Sequence, residues 1–454
     1  MKTLFAVLCF FTVFAFAGRS EAQAQGANGP LAGFSAIIDA PQSPEPPQPP
    51  LTLDEIDRIA LAENPEIHVA ARKVAMAEAH VPTTGRLDDP QFMLRNWQVP
   101  LSKPWDLNAS QNMLMLSQSL PGPGKRPLQT SIAQSEVTVA KDELESVRLR
   151  IRVEVRKAFF DLLLAQEEMR IHDQHVDIAR QVIEAARIKY TVGKVPQQDV
   201  LKAQAEISML KQRLYEMEQQ EVVLKAKLNQ LLNRRADAPL GLAVTEPQHE
   251  FEFQSEELFR LAEQMRPEIK KAQAEIQRNE AERSLMKKEF FPDYKLGAEY
   301  GYMNSGFTDF SGSDNVVMFR VGFELPIWQS KYRAGVREAE KMIESSRAGL
   351  EAAQRQTSYD VQDAYFKLET ARRTSELYKT ALLPQAEARF NASEAGYRTG
   401  KVEFLDLLES ERFLLNARVM AAMAEGNVGM ELGRLERAVG TDLKPNTRAQ
   451  GVSQ

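Results

Sequence analysis

The side chains best able to do chemistry in this 454-residue sequence are few and scattered. His172 and His175 are three apart, so a helix would put both imidazoles on one face, where zinc or copper could sit. Only Asp173 or Glu168 stands close by as a third ligand, and the pair reads rather as part of a solvated helix face. Gly122-Pro123-Gly124-Lys125 has the small residues of a phosphate-cradling loop. The required G-x-x-x-x-G-K-[ST] spacing is missing, Arg126 replaces the hydroxyl, and the prolines remove backbone donors, so the segment reads as a strand-to-helix corner. His68, His80 and His249 lie in unrelated contexts, and there is no G-x-S-x-G elbow for a hydrolase. Of the 16 methionines only Met113 and Met115 are close on a strand, too few for a copper pathway. The sequence therefore offers no catalytic residues, no metal-ligating set and no cofactor site.

What remains to be explained is architecture. Net charge is −6 and pI about 5.7, which argues against a nucleic-acid partner. Mean hydropathy is −0.38, and beyond the extreme N-terminus no long apolar run predicts a spanning helix. Residues 1–24 read as a signal peptide: Lys2, an apolar core from Leu4 to Ala17, and A-x-A sites ending at Ala17 and Ala24, the second preferred for cleavage. The single cysteine, Cys9, leaves with that segment, so disulfides and thiolate chemistry are excluded from the mature chain. Residues 25–50 form a Pro-rich flexible leader, and residues 441–454 a disordered tail.

Between these ends the chain is written twice. Asn64-Pro65-Glu66-Ile67 matches Arg266-Pro267-Glu268-Ile269, Phe159-Phe160 matches Tyr365-Phe366, and Tyr190–Val195 matches Tyr397–Val402, at offsets of 202 to 207. The repeats are placed at 51–245 and 246–440. Each has the order helix, helix, two strands, very long helix, tight turn, helix. Leu128–Thr191 has neither proline nor glycine, and a helix of that length would be about 95 Å long. Its apolar stripe recurs by sevens at Val137, Leu144, Ile151, Ala158 and Ala165, the signature of helices packed as coiled coils; Glu221 interrupts the matching seam of the return helix. The second long helix is expected to bend near Pro384.

The strand candidates alternate. Tyr294, Leu296, Ala298, Tyr300 and Tyr302 share one face, and Val317, Phe319, Val321, Phe323 and Leu325 another, with charged residues and glycines opposite. Phe92–Trp97 and Asn112–Leu120 alternate less cleanly. The pattern fits a soluble sheet with one buried face or strands with lipid outside and water inside; the signal segment and the outsized helices favour the membrane. Four strands cannot enclose an aqueous bore, so spanning strands would require several chains per barrel.

This duplicated plan resembles the TolC-type outer-membrane efflux proteins. Tyr-x-x-Gly-Lys-Val at 190–195 and 397–402 and Leu120-Pro121-Gly122-Pro123-Gly124-Lys125-Arg126 carry the resemblance, over nearly all of residues 51–440. It implies a mixed α+β membrane protein: a homotrimer sharing a twelve-stranded β-barrel in outer-membrane lipid, four strands per chain, continued by a long α-helical coiled-coil tunnel in the periplasm. It further implies no catalysis, no cofactor, a periplasmic membrane-fusion adaptor, and an inner-membrane pump of RND or ABC type. The function implied is a passive exit duct. The corner at 120–126 looks more like members that serve heavy-metal pumps; drug, small-molecule or type I protein export is the alternative, and a structural periplasmic coiled-coil protein the remote one. By the same resemblance Gly193, Lys194, Val195, Gly400, Lys401 and Val402 are the adaptor-contact tips. Asp406 and Glu409 align with acids that narrow the tunnel entrance. Asp199 and Lys202 are their counterparts in the first repeat, where Lys202 is expected to pair with a carboxylate.

Overall fold

The computed structural model describes residues 49–97, 99, 101, 102, 105, 111–244, 254–303 and 314–443. The expected signal segment, the leader up to residue 48, the turn after Met303 and the tail beyond residue 443 lie outside the described residues. Two short helices, α1 (Leu53–Glu63) and α2 (Pro65–Thr84), precede strands β1 (Gln91–Trp97) and β2 (Gln111–Leu120). Two long helices follow, α3 (Lys125–Thr191) and α4 (Gln197–Leu231). The order then recurs: α5 (Ser255–Met265), α6 (Pro267–Lys288), β3 (Asp293–Met303), β4 (Asp314–Glu324), α7 (Gln329–Leu377), α8 (Leu383–Thr399) and α9 (Phe404–Val439).

At 67 residues α3 runs for about 100 Å. Gly124, with φ +88°, swings the chain from strand into helix, and Pro127 falls in the first turn, where a missing N–H costs nothing. The corner is fixed by charge. Lys125 is buried and bridges Asp293 (2.8 Å) and Glu289 (3.2 Å), while Gly122 N donates to Asp293 Oδ1 at 2.6 Å. Its lysine is thus tied to carboxylates of the second repeat, and the phosphate-loop reading has no place here.

A bundle this long and thin cannot have one central core. Its apolar contacts fall into separate patches, one around Ile56, Phe159 and Leu228, another around Leu258, Val361 and Leu435, and others towards the far end. Of the heptad stripe, Val137, Ile151, Ala158 and Ala165 are buried and Leu144 is half-buried. Glu221, the break in the seam, accepts from Gln166 Nε2 at 2.9 Å, and Gln166 Oε1 accepts from Ala243 N at 3.0 Å, so the break anchors the segment that leaves the first repeat. The bend of the second long helix takes the form of a wide turn at Tyr378–Leu382, where Leu383 N bonds back five residues to Tyr378 O. Pro384 explains it, because its ring cannot bond residue 380 and displaces that carbonyl.

The strands form one antiparallel sheet in the order β1-β2-β3-β4, with Leu114 opposite Leu94 and Tyr300, and Tyr300 opposite Val317. The face carrying Phe92, Leu94, Leu116, Tyr300, Val317, Phe319 and Val321 is bare, with Phe319 83% exposed. The opposite face carries Met113 and Glu299, which are buried. A soluble one-sided sheet would cover its apolar face; this one leaves that face open. Among the described residues no helix is long and apolar enough to cross a membrane.

Candidate functional site

The two helical tips are built alike. At the end of α3, Gly193 (φ +72°) donates to Tyr190 O, and Lys194 N reaches back to Lys189 O at 2.9 Å. At the end of α8, Gly400 (φ +77°) donates to Tyr397 O, and Lys401 N reaches Gly396 O, also at 2.9 Å. Both are helix ends closed by a left-handed residue, which only glycine adopts without strain. Nothing crowds either glycine, so its role is conformational. Gly193, Lys194, Gly400 and Lys401 are exposed, whereas Val195 and Val402 are half-buried. Val402 packs onto Gly396, where any side chain would collide with it.

The tips share one groove of about 950 Å³, lined by Lys194, Val195, Gly400 and Val402 together with Asp199 and Lys202. Asp406 and Glu409 lie outside it, exposed in the first two turns of α9. Among the described residues Lys202 forms no ion pair. Lys189 and Tyr397 are what sequence reasoning missed. Lys189 Nζ donates to Tyr397 O and sits 3.9 Å from the centre of the Tyr397 ring. Burial, and then the charge of Lys194, pull the Lys189 ammonium below its ordinary pKa. Burial and the charge of Asp199 push the Tyr397 phenol up. The repeat made Tyr190 and Tyr397 equivalent, yet Tyr190 is exposed and Tyr397 buried. This one cation and one ring tie the first tip to the second.

Further along the bundle the structure corrects the reading of the two histidines. They do not lie on a solvated face: His175 is 0% and His172 7% exposed. His175 Nδ1 lies 2.7 Å from Glu411 Oε1, and His172 Nδ1 donates to Glu168 O. Next to that pair, Arg412 clasps Glu206 through two nitrogens. Among the described residues no three His, Cys, Asp or Glu side chains come together as a metal site.

Residues 58–234 and 258–441, one stretch in each half, match the outer membrane efflux protein family. The chain belongs to that family. It is accordingly an outer-membrane protein with its helical part in the periplasm, and it is not an enzyme. Among curated relatives, the cobalt-zinc-cadmium resistance protein CzcC of Cupriavidus metallidurans is 24% identical over 409 residues, 88% of this chain and 92% of CzcC. Among solved structures, the outer membrane protein VceC of Vibrio cholerae superposes with a TM-score of 0.73 at 17% identity, covering 86% of this chain and 97% of VceC. CusC, solved in connection with folding and transmembrane channel formation, gives 0.72 at 17% identity, covering 87% and 93%. These likenesses share the fold.

Proposed function

We propose that three copies assemble into one passive duct across the outer membrane, each giving four strands to a twelve-stranded barrel and its long helices to a periplasmic tunnel. The observation that carries this reading is the open sheet. Its apolar face is exposed, and both outer strands, β1 and β4, have one edge unpaired among the described residues. Such edges are not tolerated in lipid, and β4 of one copy meeting β1 of the next would close them. A groove of about 700 Å³ between α7 and α9, with Tyr359 and Phe366 exposed in it, supplies a seat for a neighbouring copy's helices. Trp97 and Trp105 at one end of the sheet and Trp328 at the other suit two membrane interfaces.

In this reading residues 1–24 direct export, and the tips at Gly193–Val195 and Gly400–Val402 meet a periplasmic adaptor that joins the duct to an inner-membrane pump. Asp199, Lys202, Asp406 and Glu409 line the tunnel mouth. The cargo is heavy-metal cations, for which the likeness to CzcC is the support. Purified protein in planar bilayers should give stable conductance steps, migrate as a trimer in detergent, and restore metal tolerance to a host lacking its own duct. A monomer that stays in solution without detergent and never conducts would end the proposal.

A further inference from the structure

The two ends of the sheet differ in charge. Where the strands meet the helices, Lys287, Lys331 and Arg333 are exposed and Lys288 is half-buried, and none of the four has an ion pair with the described residues. The acids around them are engaged. Lys125 bridges Glu289 and Asp293, and Lys295 holds Glu324 at 2.7 Å. Asp88 and Asp89 precede β1 at the opposite edge of the sheet, joined there by the exposed Arg86. Cations are therefore in surplus at this end. At the other end the strands finish in Trp97, Gln111, Met303 and Asp314, with no lysine or arginine among them.

The surplus is gathered at one aromatic corner between α6 and α7. Phe290, just after α6, and Tyr332, in the first turn of α7, have ring centres 5.6 Å apart. Lys288 Nζ lies 5.2 Å from the centre of the Phe291 ring, and Lys331 Nζ 5.7 Å from that of Tyr332. Ring faces orient an ammonium without neutralising it. Leading into the corner, Phe323, Leu325, Ile327 and Trp328 are each more than half exposed. Bare apolar side chains beside uncompensated cations suit a lipid, with its acyl chains on the first and its phosphate on the second. A zwitterionic headgroup brings an ammonium of its own that needs a carboxylate, and those of Glu289, Asp293 and Glu324 are already paired. An anionic headgroup makes no such demand.

We propose that Lys287, Lys288, Lys331 and Arg333, with Trp328 beside them, bind the headgroup phosphate of anionic phospholipid in the leaflet facing the periplasm. This rests on the reading that the sheet spans the outer membrane, and it adds which lipid the inner rim of the sheet selects. Repeated around three copies, the corners form a charged collar that fixes the depth at which strands give way to helices.

The test uses the full chain as W97F/W105F, which leaves Trp328 as its one tryptophan, reconstituted in phosphatidylcholine vesicles. Brominated phosphatidylglycerol and brominated phosphatidylcholine, which quench indole fluorescence on contact, are the probes. Both should quench Trp328, and at low mole fraction the phosphatidylglycerol should do so at least about threefold more strongly. Adding K287Q/K288Q/K331Q/R333Q should make the two lipids equal. So should about 0.5 M NaCl on the unsubstituted corner, because salt screens exposed charges; this arm stands even where the quadruple substitution prevents folding. Equal quenching by both lipids at low salt overturns the site and leaves the sheet in the membrane, as does a preference kept by the folded quadruple variant or in high salt. Quenching by neither lipid overturns the membrane reading itself.

Discussion

Gly429 of α9 lies directly against the ring of Phe160 on α3, so that a methyl group at position 429 would overlap Cζ and both Cε atoms of that ring. Gly426 meets Leu164 and Gly433 meets Arg156 in the same way, making a stripe of bare backbone at spacings of three and four. The stripe lets a helix of the second repeat lie close along the longest helix of the first. Gly429→Ala should cost about 1–3 kcal/mol through overpacking. Thermal unfolding of G429A should show a lowered midpoint, and G429A/F160L should recover part of it. A G429A midpoint equal to the native one would remove this contact from the account of how the halves are joined.

This stripe shows where sequence reading stops. Duplication, sheet alternation and heptads are periodic, so each can be counted along the chain, and the strands and long helices are found within a few residues of where those periods place them. The turn glycines are legible too, since a left-handed residue at a helix end is a local requirement. Contacts such as His175 with Glu411 join residues 236 apart and leave no period. Gly426, Gly429 and Gly433 did carry a readable spacing, but only the opposing helix says what the gaps admit. Equivalence between repeats misleads at Tyr397, because two copies that pack on each other cannot keep identical surroundings.

His175 and Glu411 are both buried, and each also has a polar atom without a partner among the described residues, Nε2 and Oε2. Removing one side chain leaves the other's group unsatisfied, at about 1–3 kcal/mol. H175L and E411L should each lower the unfolding midpoint, while H175L/E411L should regain at least half of the loss. Strictly additive losses would show that the two groups act independently.

The Glu221 anchor gives a pH signature. Burial works to raise its pKa, but the hydrogen bond from Gln166 and the ion pair with Lys225 outweigh it, so the folded value lies below the ordinary 4.5. A carboxylate depressed on folding contributes stability that is present above its unfolded pKa and lost as pH falls through the folded one. E221Q should therefore be less stable than native by about 1 kcal/mol near neutrality. The gap should close below pH 4.5. A gap that stays constant into acid would assign the loss to packing.

Lys194 and Lys401 crown the two tips, exposed and free of ion pairs with the described residues. If the tips receive an adaptor, K194E/K401E should weaken cross-linking to it severalfold and lower export, while trimer formation and conductance stay as they were. Unchanged cross-linking and unchanged export in that variant would move the contact away from the tips.

Asp406 and Glu409 sit at the start of α9 with their side chains exposed. An acid in the first turn gains from the helix dipole, about 0.3–1 kcal/mol, and that alone would account for Asp406. Glu409 lies a turn deeper, where the dipole has faded; the Arg412 pKa is raised first by the Glu206 hydrogen bond, then by the charges of Glu206 and Glu411, and Glu409 adds the smallest share. A gate makes a different demand: the acids must hold the mouth narrow through contacts between copies. D406N/E409Q should then raise resting conductance and make cells more sensitive to large antibiotics, with no more than a small fall in thermal stability. A variant that loses the dipole's share of stability and leaks no more than the native channel would leave these two carboxylates as a helix start and nothing else.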